Sequence, residues 1–283
     1  MTILVRPAEE ADIDGVSDLL HANMSARIDR ARWRKLLDYS WRPPDAPRGM
    51  VALDGRRIVG FLGLVTADRP VAGRVERFCN ICAWYLLKDY RGRGIGQRIQ
   101  LASIADPKIT YTILTATAAT GRAFAAHGFR VLDAERYILR RRPGAAASLE
   151  CIDDPKNLES RLDGEAREIF QAHRAFNLRH LLVRAGGRAC YVVLQVKRKG
   201  DDVDYHEILH LGDAAFFADH AQALADALLP PGKSVLAVDK RFLPAPMPWE
   251  TEMLELPRWY RSRLPPARID HLYSEIPLLD LKL

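Results

Sequence analysis

Arg91-Gly92-Arg93-Gly94-Ile95-Gly96 separates two stretches of different character. Before it, Phe78 to Leu87 is apolar and strand-like. After it, Gln97-Arg98-Ile99-Gln100-Leu101-Ala102 reads as helix. A strand, a glycine turn and a helix start, in that order, make a device for holding phosphate. The backbone N–H groups at a helix N-terminus have no partner within the helix and carry partial positive charge. Glycines let the main chain approach a ligand closely, and Arg91 and Arg93 add donors at the rim. No Gly-Lys-Ser/Thr follows, so the run is not a P-loop. Gly92, Gly94 and Gly96 are spaced G-x-G-x-G, so it is not the dinucleotide fingerprint either.

The flanks read as alternating elements. Strand Thr2 to Arg6 stops at Pro7, and an acidic start at Ala8 to Asp12 opens a helix with Ile13, Val16, Leu19 and Leu20 as its buried stripe. A second amphipathic helix is expected over Asp29 to Ser40. Asp54-Gly55 marks a hairpin between Gly49 to Leu53 and Arg57 to Thr66. Val75 to Leu87 leads into the glycine turn, and Ile109 to Thr115 is a β-branched strand. Thr117 to His127 is a helix closed by Gly128-Phe129, and Arg130 to Arg140 is again a strand.

On Arg91-x-x-Gly94-x-Gly96 after a strand, and on helix, Gly128-Phe129, strand, the sequence resembles the GNAT superfamily of N-acyltransferases. The resemblance implies an α/β (α+β) fold, a mixed, mostly antiparallel sheet flanked by helices. It implies acetyl-CoA, or another acyl-coenzyme A, as co-substrate and no metal. The cofactor contacts it implies are the main chain of Leu86 and Leu87 for the pantetheine arm, and Arg91, Gly92, Arg93, Gly94, Ile95, Gly96 and Gln97 for the pyrophosphate. Thr117 and Phe124 are counted among the cofactor contacts as well, standing where many members carry an Asn and a Tyr. Phenylalanine has no proton to donate to a departing thiolate, so that general acid is missing. Glu76, the carboxylate on the strand before the turn, is the candidate general base; a surface ion pair is the competing reading. Cys82 reads as a small buried hydrophobe rather than an acyl relay. Trp33, Tyr39 and Trp41 are candidates for the acceptor wall, with core packing as the alternative.

With 283 residues, the chain is long enough for two cores. The basic Pro/Gly/Ala run from Arg140 to Ala147 suggests a boundary. The expected organisation is a GNAT domain over 1–142, a linker over 143–157 and a degenerate GNAT-like domain over 158–283. In the second half a helix is expected over Leu158 to Leu178, a hairpin around Ala185 to Arg188, a strand at Asp202 to Leu211 and a helix at Ala214 to Leu229. A strand at Ser234 to Phe242, a short helix at Trp259-Tyr260 and an extended segment from Ala267 to Leu281 complete it. His210-Leu211-Gly212-Asp213 occupies the place of the glycine turn. Asp213 repels a diphosphate and suits a helix N-cap, so acyl-CoA binding is expected of the first half alone.

The net charge of +6 suits an anionic ligand, while no basic cluster carries the interleaved aromatics of a nucleic-acid motif. Nucleic acid is therefore not an expected partner, and a small-molecule amine or a protein amine is. Cys79-x-x-Cys82 lies in an apolar strand with no second pair, which argues against zinc or redox work. With no membrane-length apolar run and no signal-like start, the expected setting is the cytoplasm, without a membrane. The expected activity is transfer of an acyl group, acetyl above all, to an amine by direct attack in a ternary complex. The alternative is a catalytically weak acyl-CoA-binding regulatory protein.

Overall fold

In the computed structural model, which describes residues 3–71, 73–142 and 149–282, the chain divides into two compact units. The first comprises Met1–Arg130 together with Arg258–Leu264 and Tyr273–Leu281. It contains β1 (Leu4–Pro7), α1 (Ile13–Asn23), α2 (Arg30–Arg34), β2 (Gly49–Asp54), β3 (Arg57–Val71), β4 (Arg74–Leu86), α3 (Ile95–Ser103), β5 (Thr110–Ile113) and α4 (Ala118–Ala125). The second comprises Val131–Pro257, Pro265–Leu272 and Lys282–Leu283. Its elements are most of β6 (Arg130–Leu139), then β7 (Glu150–Ile152), α5 (Pro155–Arg161), α6 (Gly164–His173), β8 (Arg179–Ala185), β9 (Arg188–Lys199), β10 (Val203–Leu211), α7 (Ala214–Leu228) and β11 (Ser234–Asp239). Strand β12 (Glu250–Arg261) ends in the first unit, which also holds α8 (Glu275–Leu279).

The first unit is a mixed sheet. β1, β2, β3 and β4 pair antiparallel in sequence order, β5 joins β4 in parallel, and Trp259–Arg261 of β12 pairs antiparallel with β5. In the second unit β7, β8, β9 and β10 are antiparallel, β11 is parallel to β10, and β6 is antiparallel to β11. The two sheets therefore share one pairing pattern, each ending in a strand beside its single parallel pair.

That ending differs from the expected domain split. The position beside β5 is filled by Trp259–Arg261 and not by residues just after the Gly128-Phe129 cap, while residues 136–139 pair with β11. The place expected to be a short helix, Trp259-Tyr260, is strand because its main chain completes the β5 edge. Ala267 to Leu281 is not extended either: a 3-10 turn at Pro266–Arg268 precedes α8, whose first residue is capped by the Ser274 hydroxyl accepting from Ile276 N–H. Residues 143–148 of the expected linker lie outside the described residues. Its later part forms β7 and the start of α5. The helix expected over Leu158 to Leu178 is two, because Leu162 and Asp163 between them are extended. The helix expected over Asp29 to Ser40 is regular only at α2, and β11 stops at Asp239.

Two faces of the first sheet do different things. Cys79 and Ile81 of β4 lie in the core with Ile95 and Ile99 of α3 and Phe124 and Phe129 at α4. Phe78, Asn80 and Cys82 alternate to the other face, as a strand requires. There Arg69 stacks over both Phe78 and Tyr273, and Trp41 packs between Tyr39 and Tyr273. At Ala83 the alternation breaks. The β3–β4 register passes from Gly63↔Cys82 to Phe61↔Tyr85, so Ala83 and Trp84 oppose Leu62 alone, and Ala83 adopts φ +48°. This bulge reverses the strand's phase: after it Trp84 and Leu86, instead of odd-numbered residues, turn toward the α3 core.

Gly121 on α4 lies flat against the Trp259 indole, where a Cβ would come within 2.4 Å of Nε1. Gly121→Ala gains about 1 kcal/mol of helix propensity and loses about 1–3 kcal/mol to overpacking. The net expectation is a destabilisation of roughly 1 kcal/mol in urea unfolding, whereas a stabilised variant would show that the Trp259 contact is loose.

Candidate functional site

At the exit of β4 the main chain turns through Gly92 (φ +76°) and Gly94 (φ +72°), both left-handed and both with open space where a Cβ would stand. Gly94 is the N-cap of α3 and offers no side chain to the helix end. The first intrahelical bond runs from Arg98 N–H to the Gly94 carbonyl, 3.1 Å. The N–H groups of Ile95, Gly96 and Gln97 thus precede the ladder and face outward. A cavity of about 380 Å³ lies over this turn, lined by Trp84, Tyr85, Leu86, Arg91, Gly92, Gly94, Gly96 and Gln97. Arg91 is anchored there: its Nε donates to the Leu86 carbonyl at 2.9 Å, and its guanidinium lies over the Tyr85 ring at 5.4 Å. Left-handed glycines, a bare helix N-terminus and a fixed guanidinium on one cavity suit a diphosphate.

Six of the residues named from sequence meet at this cavity: Leu86, Arg91, Gly92, Gly94, Gly96 and Gln97. The others do not line it. Leu87 N–H is already bonded to the Val59 carbonyl at 2.9 Å, so it has no donor left for a ligand. Ile95 is 3 % exposed and packs into the core, leaving only its N–H to the turn. Arg93 points toward Tyr90, with its guanidinium 5.6 Å from that ring. Thr117 is the N-cap of α4, its hydroxyl accepting from Thr120 N–H. Phe124 is wholly buried and supports the cavity from behind, edge-on to Trp84 at 5.6 Å. Trp84 and Tyr85 are the lining residues that sequence reading missed; their signal was position, immediately before Leu86 on the strand that feeds the turn.

Glu76 sits at the hairpin end of β4, opposite Arg69. It precedes Leu86 by ten positions, roughly 30 Å along an extended strand, so the fold does not bring it to the cavity. Burial pushes the Cys79 thiol up to about 12 and raises that of Cys82 well above the ordinary thiol range. Neither is a thiolate at neutral pH, which suits the reading of Cys82 as a small hydrophobe. Trp33 is core, 2 % exposed; Tyr39 accepts from Thr66 N–H at 2.6 Å and stands with Trp41 over the opposite face of the sheet.

The carboxylate brought to the middle of this unit is Glu275. It is 1 % exposed at the start of α8 and accepts from Asn80 Nδ2 on β4 and from Thr115 Oγ1 at 2.7 Å. Thr112 Oγ1 in turn donates to Asn80 Oδ1 at 2.9 Å. Desolvation raises Glu275 to about 7, opposed by the Thr115 hydroxyl, its own backbone N–H and the Asn80 amide. Nothing local in the sequence marks it.

The turn corresponding to the glycine turn in the second unit is built otherwise. Asp213 caps α7, accepting from Phe216 N–H at 2.8 Å, and pairs with Arg188 at 3.2 Å. Elsewhere in that unit Asp133, Asp239 and His271 bring one ligand atom each within 4.8 Å. Arg241 donates to Asp133 at 3.0 Å and to Asp239 at 3.3 Å, so its guanidinium occupies the charge-balancing position among them. His173, at the end of α6, is fully buried and bonded to the Ile169 and Leu272 carbonyls, a structural role.

Residues 14–129 match the acetyltransferase (GNAT) family. A search of the curated proteins finds no match to the chain. Solved structures share the fold over nearly its whole length. A GCN5-related N-acetyltransferase from Kribbella flavida is 14% identical with TM-score 0.56, covering 92% of this chain and 71% of that one. A probable N-acyltransferase from Enterococcus faecalis is 14% identical with TM-score 0.57, covering 95% and 74%. A putative acetyltransferase from Pyrococcus horikoshii is 15% identical with TM-score 0.53, covering 96% and 93%. Among the described residues, no helix is long and apolar enough to cross a membrane.

Glu275 makes stability depend on pH. Its folded pKa is raised from 4.5 to about 7, so between those values the folded state binds more proton than the unfolded chain. Its contribution is fully present below about 4.5 and is lost as pH rises through about 7. At roughly 1.4 kcal/mol per unit of pKa, the loss is a few kcal/mol. The difference in unfolding free energy between wild type and Glu275→Gln should fall across that window and flatten above it; a difference independent of pH would refute the assignment.

Proposed function

We propose that the first unit is an N-acyltransferase that moves an acyl group, acetyl in the first instance, from acyl-coenzyme A to an amine. One observation carries this reading: the pair of left-handed glycines, Gly92 and Gly94, that bares the α3 N-terminus to a cavity rimmed by Arg91. In this reading the diphosphate of the co-substrate accepts from the N–H groups of the turn. The thiol arm runs along Leu86, Tyr85 and Trp84 toward the bulge at Ala83. A bulge leaves main-chain groups outside the ladder, and its N–H groups are the donors available to the thioester oxygen as charge develops.

The reaction is direct attack. The amine nitrogen forms a bond to the thioester carbon, the C–S bond breaks, the nitrogen gives up its extra proton to water, and the coenzyme leaves as a thiolate that takes a proton from water. Phe124 has no proton to give and lies in the core, so positioning and carbonyl polarisation supply the rate enhancement. The acceptor is an amine of a small molecule or of a protein. Binding of acyl-CoA is assigned to the first unit alone, because Asp213 at the matching turn of the second presents a carboxylate where the first presents bare N–H groups.

Acetyl-CoA at 100 times its dissociation constant should stabilise the protein by about 2.7 kcal/mol. Gly94→Val forces a β-branched residue into the left-handed region at the helix cap and should weaken that binding at least about tenfold. Calorimetric titration with coenzyme A, followed by turnover of acetyl-CoA against a panel of amines, tests the reading. Binding without turnover on any amine would favour an acyl-CoA-binding regulatory protein, and no binding at all would sink the proposal.

A further inference from the structure

Parallel strands β4 and β5 share only three rungs, Phe78↔Thr110, Cys79↔Tyr111 and Asn80↔Thr112. Beyond the last rung they diverge, and the main chain there has no ladder partner on that side. Glu275 reaches into the opening from α8. Its two carboxyl oxygens take one donor from each side, Asn80 Nδ2 from β4 and Thr115 Oγ1 from the segment after β5. With Thr112 bonded to Asn80 as well, the run Thr112, Asn80, Glu275, Thr115 ties the two strands together just past the point where their own hydrogen bonds end. Three positions further along β4 is the Ala83 bulge, and directly after it come Trp84, Tyr85 and Leu86 of the cavity.

We propose that Glu275 is a positioning residue for acyl transfer, a strut that fixes how far β4 and β5 diverge and so aims the N–H groups of the Ala83 bulge at the thioester carbonyl. The inference rests on the acyltransferase reading above. Three features support it. The residue is recruited from 195 positions away in sequence, onto the rung where the ladder stops. Among the described residues no cation pairs with the carboxyl, so its burial is not offset by charge. A hydrocarbon of the same shape would orphan the Asn80 amide and the Thr115 hydroxyl, whereas two acceptor oxygens satisfy both.

The ionised carboxylate accepts both donors at once. The protonated form needs an acceptor of its own, and the Thr115 hydroxyl must turn around to supply it. The ionised strut is therefore the tighter one. The Cys82 thiol of β4 couples electrostatically to it, and the Tyr39 phenol couples in turn to Cys82; from the β5 side the neutral Thr115 reaches it directly and Thr112 through Asn80. Burial keeps Cys82 and Tyr39 protonated well past neutral pH.

The test uses the full chain and three forms: wild type, Glu275→Ala and Glu275→Gln. Glu275→Ala should lose about 10–100-fold in kcat while its dissociation constant for coenzyme A stays within about threefold, the pattern of a group that acts on the transition state through another. Glu275→Gln keeps an acceptor for Asn80 and a donor for Thr115. It should recover most of that loss, yet lack the rise in kcat through about pH 7 that wild type shows beyond the acceptor amine's own titration. An unchanged kcat in Glu275→Ala, or identical pH profiles for wild type and Glu275→Gln, would overturn the proposal. Hydrogen exchange without ligand separates it from the activity it rests on. The amides of residues 81–86 should exchange at least about tenfold faster in Glu275→Ala, with α3 unchanged. Faster exchange in a protein that neither binds coenzyme A nor turns over would leave the strut and remove the acyltransferase. Unchanged exchange in Glu275→Ala beside an active wild type would do the reverse. Should Glu275→Ala not fold, Glu275→Gln decides by its pH profile alone.

Discussion

The constraint on which the first unit depends is the early end of the β4–β5 ladder. Two parallel strands that part after Asn80↔Thr112 leave backbone and side-chain polar groups without their usual partners. Each nearby feature answers that deficit. Glu275 satisfies Asn80 and Thr115 in the opening, the Ala83 bulge re-aims the chain, and the left-handed glycines turn it out of the sheet into α3. A ladder continued to Leu86 would close the opening and remove the reason for all three.

Strain and burial are concentrated in the same place. Ala83, a non-glycine at φ +48°, costs of order 1 kcal/mol, and a buried carboxyl without a cation costs more. Neither is needed to hold a sheet together. Around them the unit is conventionally packed, with Ile95, Ile99 and Phe124 filling the α3–α4 side and Arg69 held between Phe78 and Tyr273 on the other. Rigid packing on both faces is what lets a small local cost persist instead of relaxing away.

The second unit repeats the pairing pattern of the first without its turn. β10 and β11 are parallel as β4 and β5 are, yet α7 begins at Asp213, whose carboxylate caps the helix from within. A self-capped helix has used one of its orphan donors and placed negative charge where an anion would sit. The same topology thus serves two different helix ends, decided by whether the cap residue is Gly94 or Asp213.

Local chemistry determined much of this from the sequence by itself. A glycine turn after a strand, the Asp54-Gly55 hairpin and the Gly128-Phe129 cap depend on residues a few positions apart, so they are written where they act. Six of the cavity-lining residues were legible for that reason. What the sequence could not reveal depends on partners distant along the chain. Trp259 is strand only because β5 has an open edge, Phe124 is core only because Trp84 and Phe129 close over it, and Glu275 meets Asn80 across 195 residues. A carboxylate in a C-terminal stretch reads as solvated until the fold removes water from it, and tertiary structure alone made that decision.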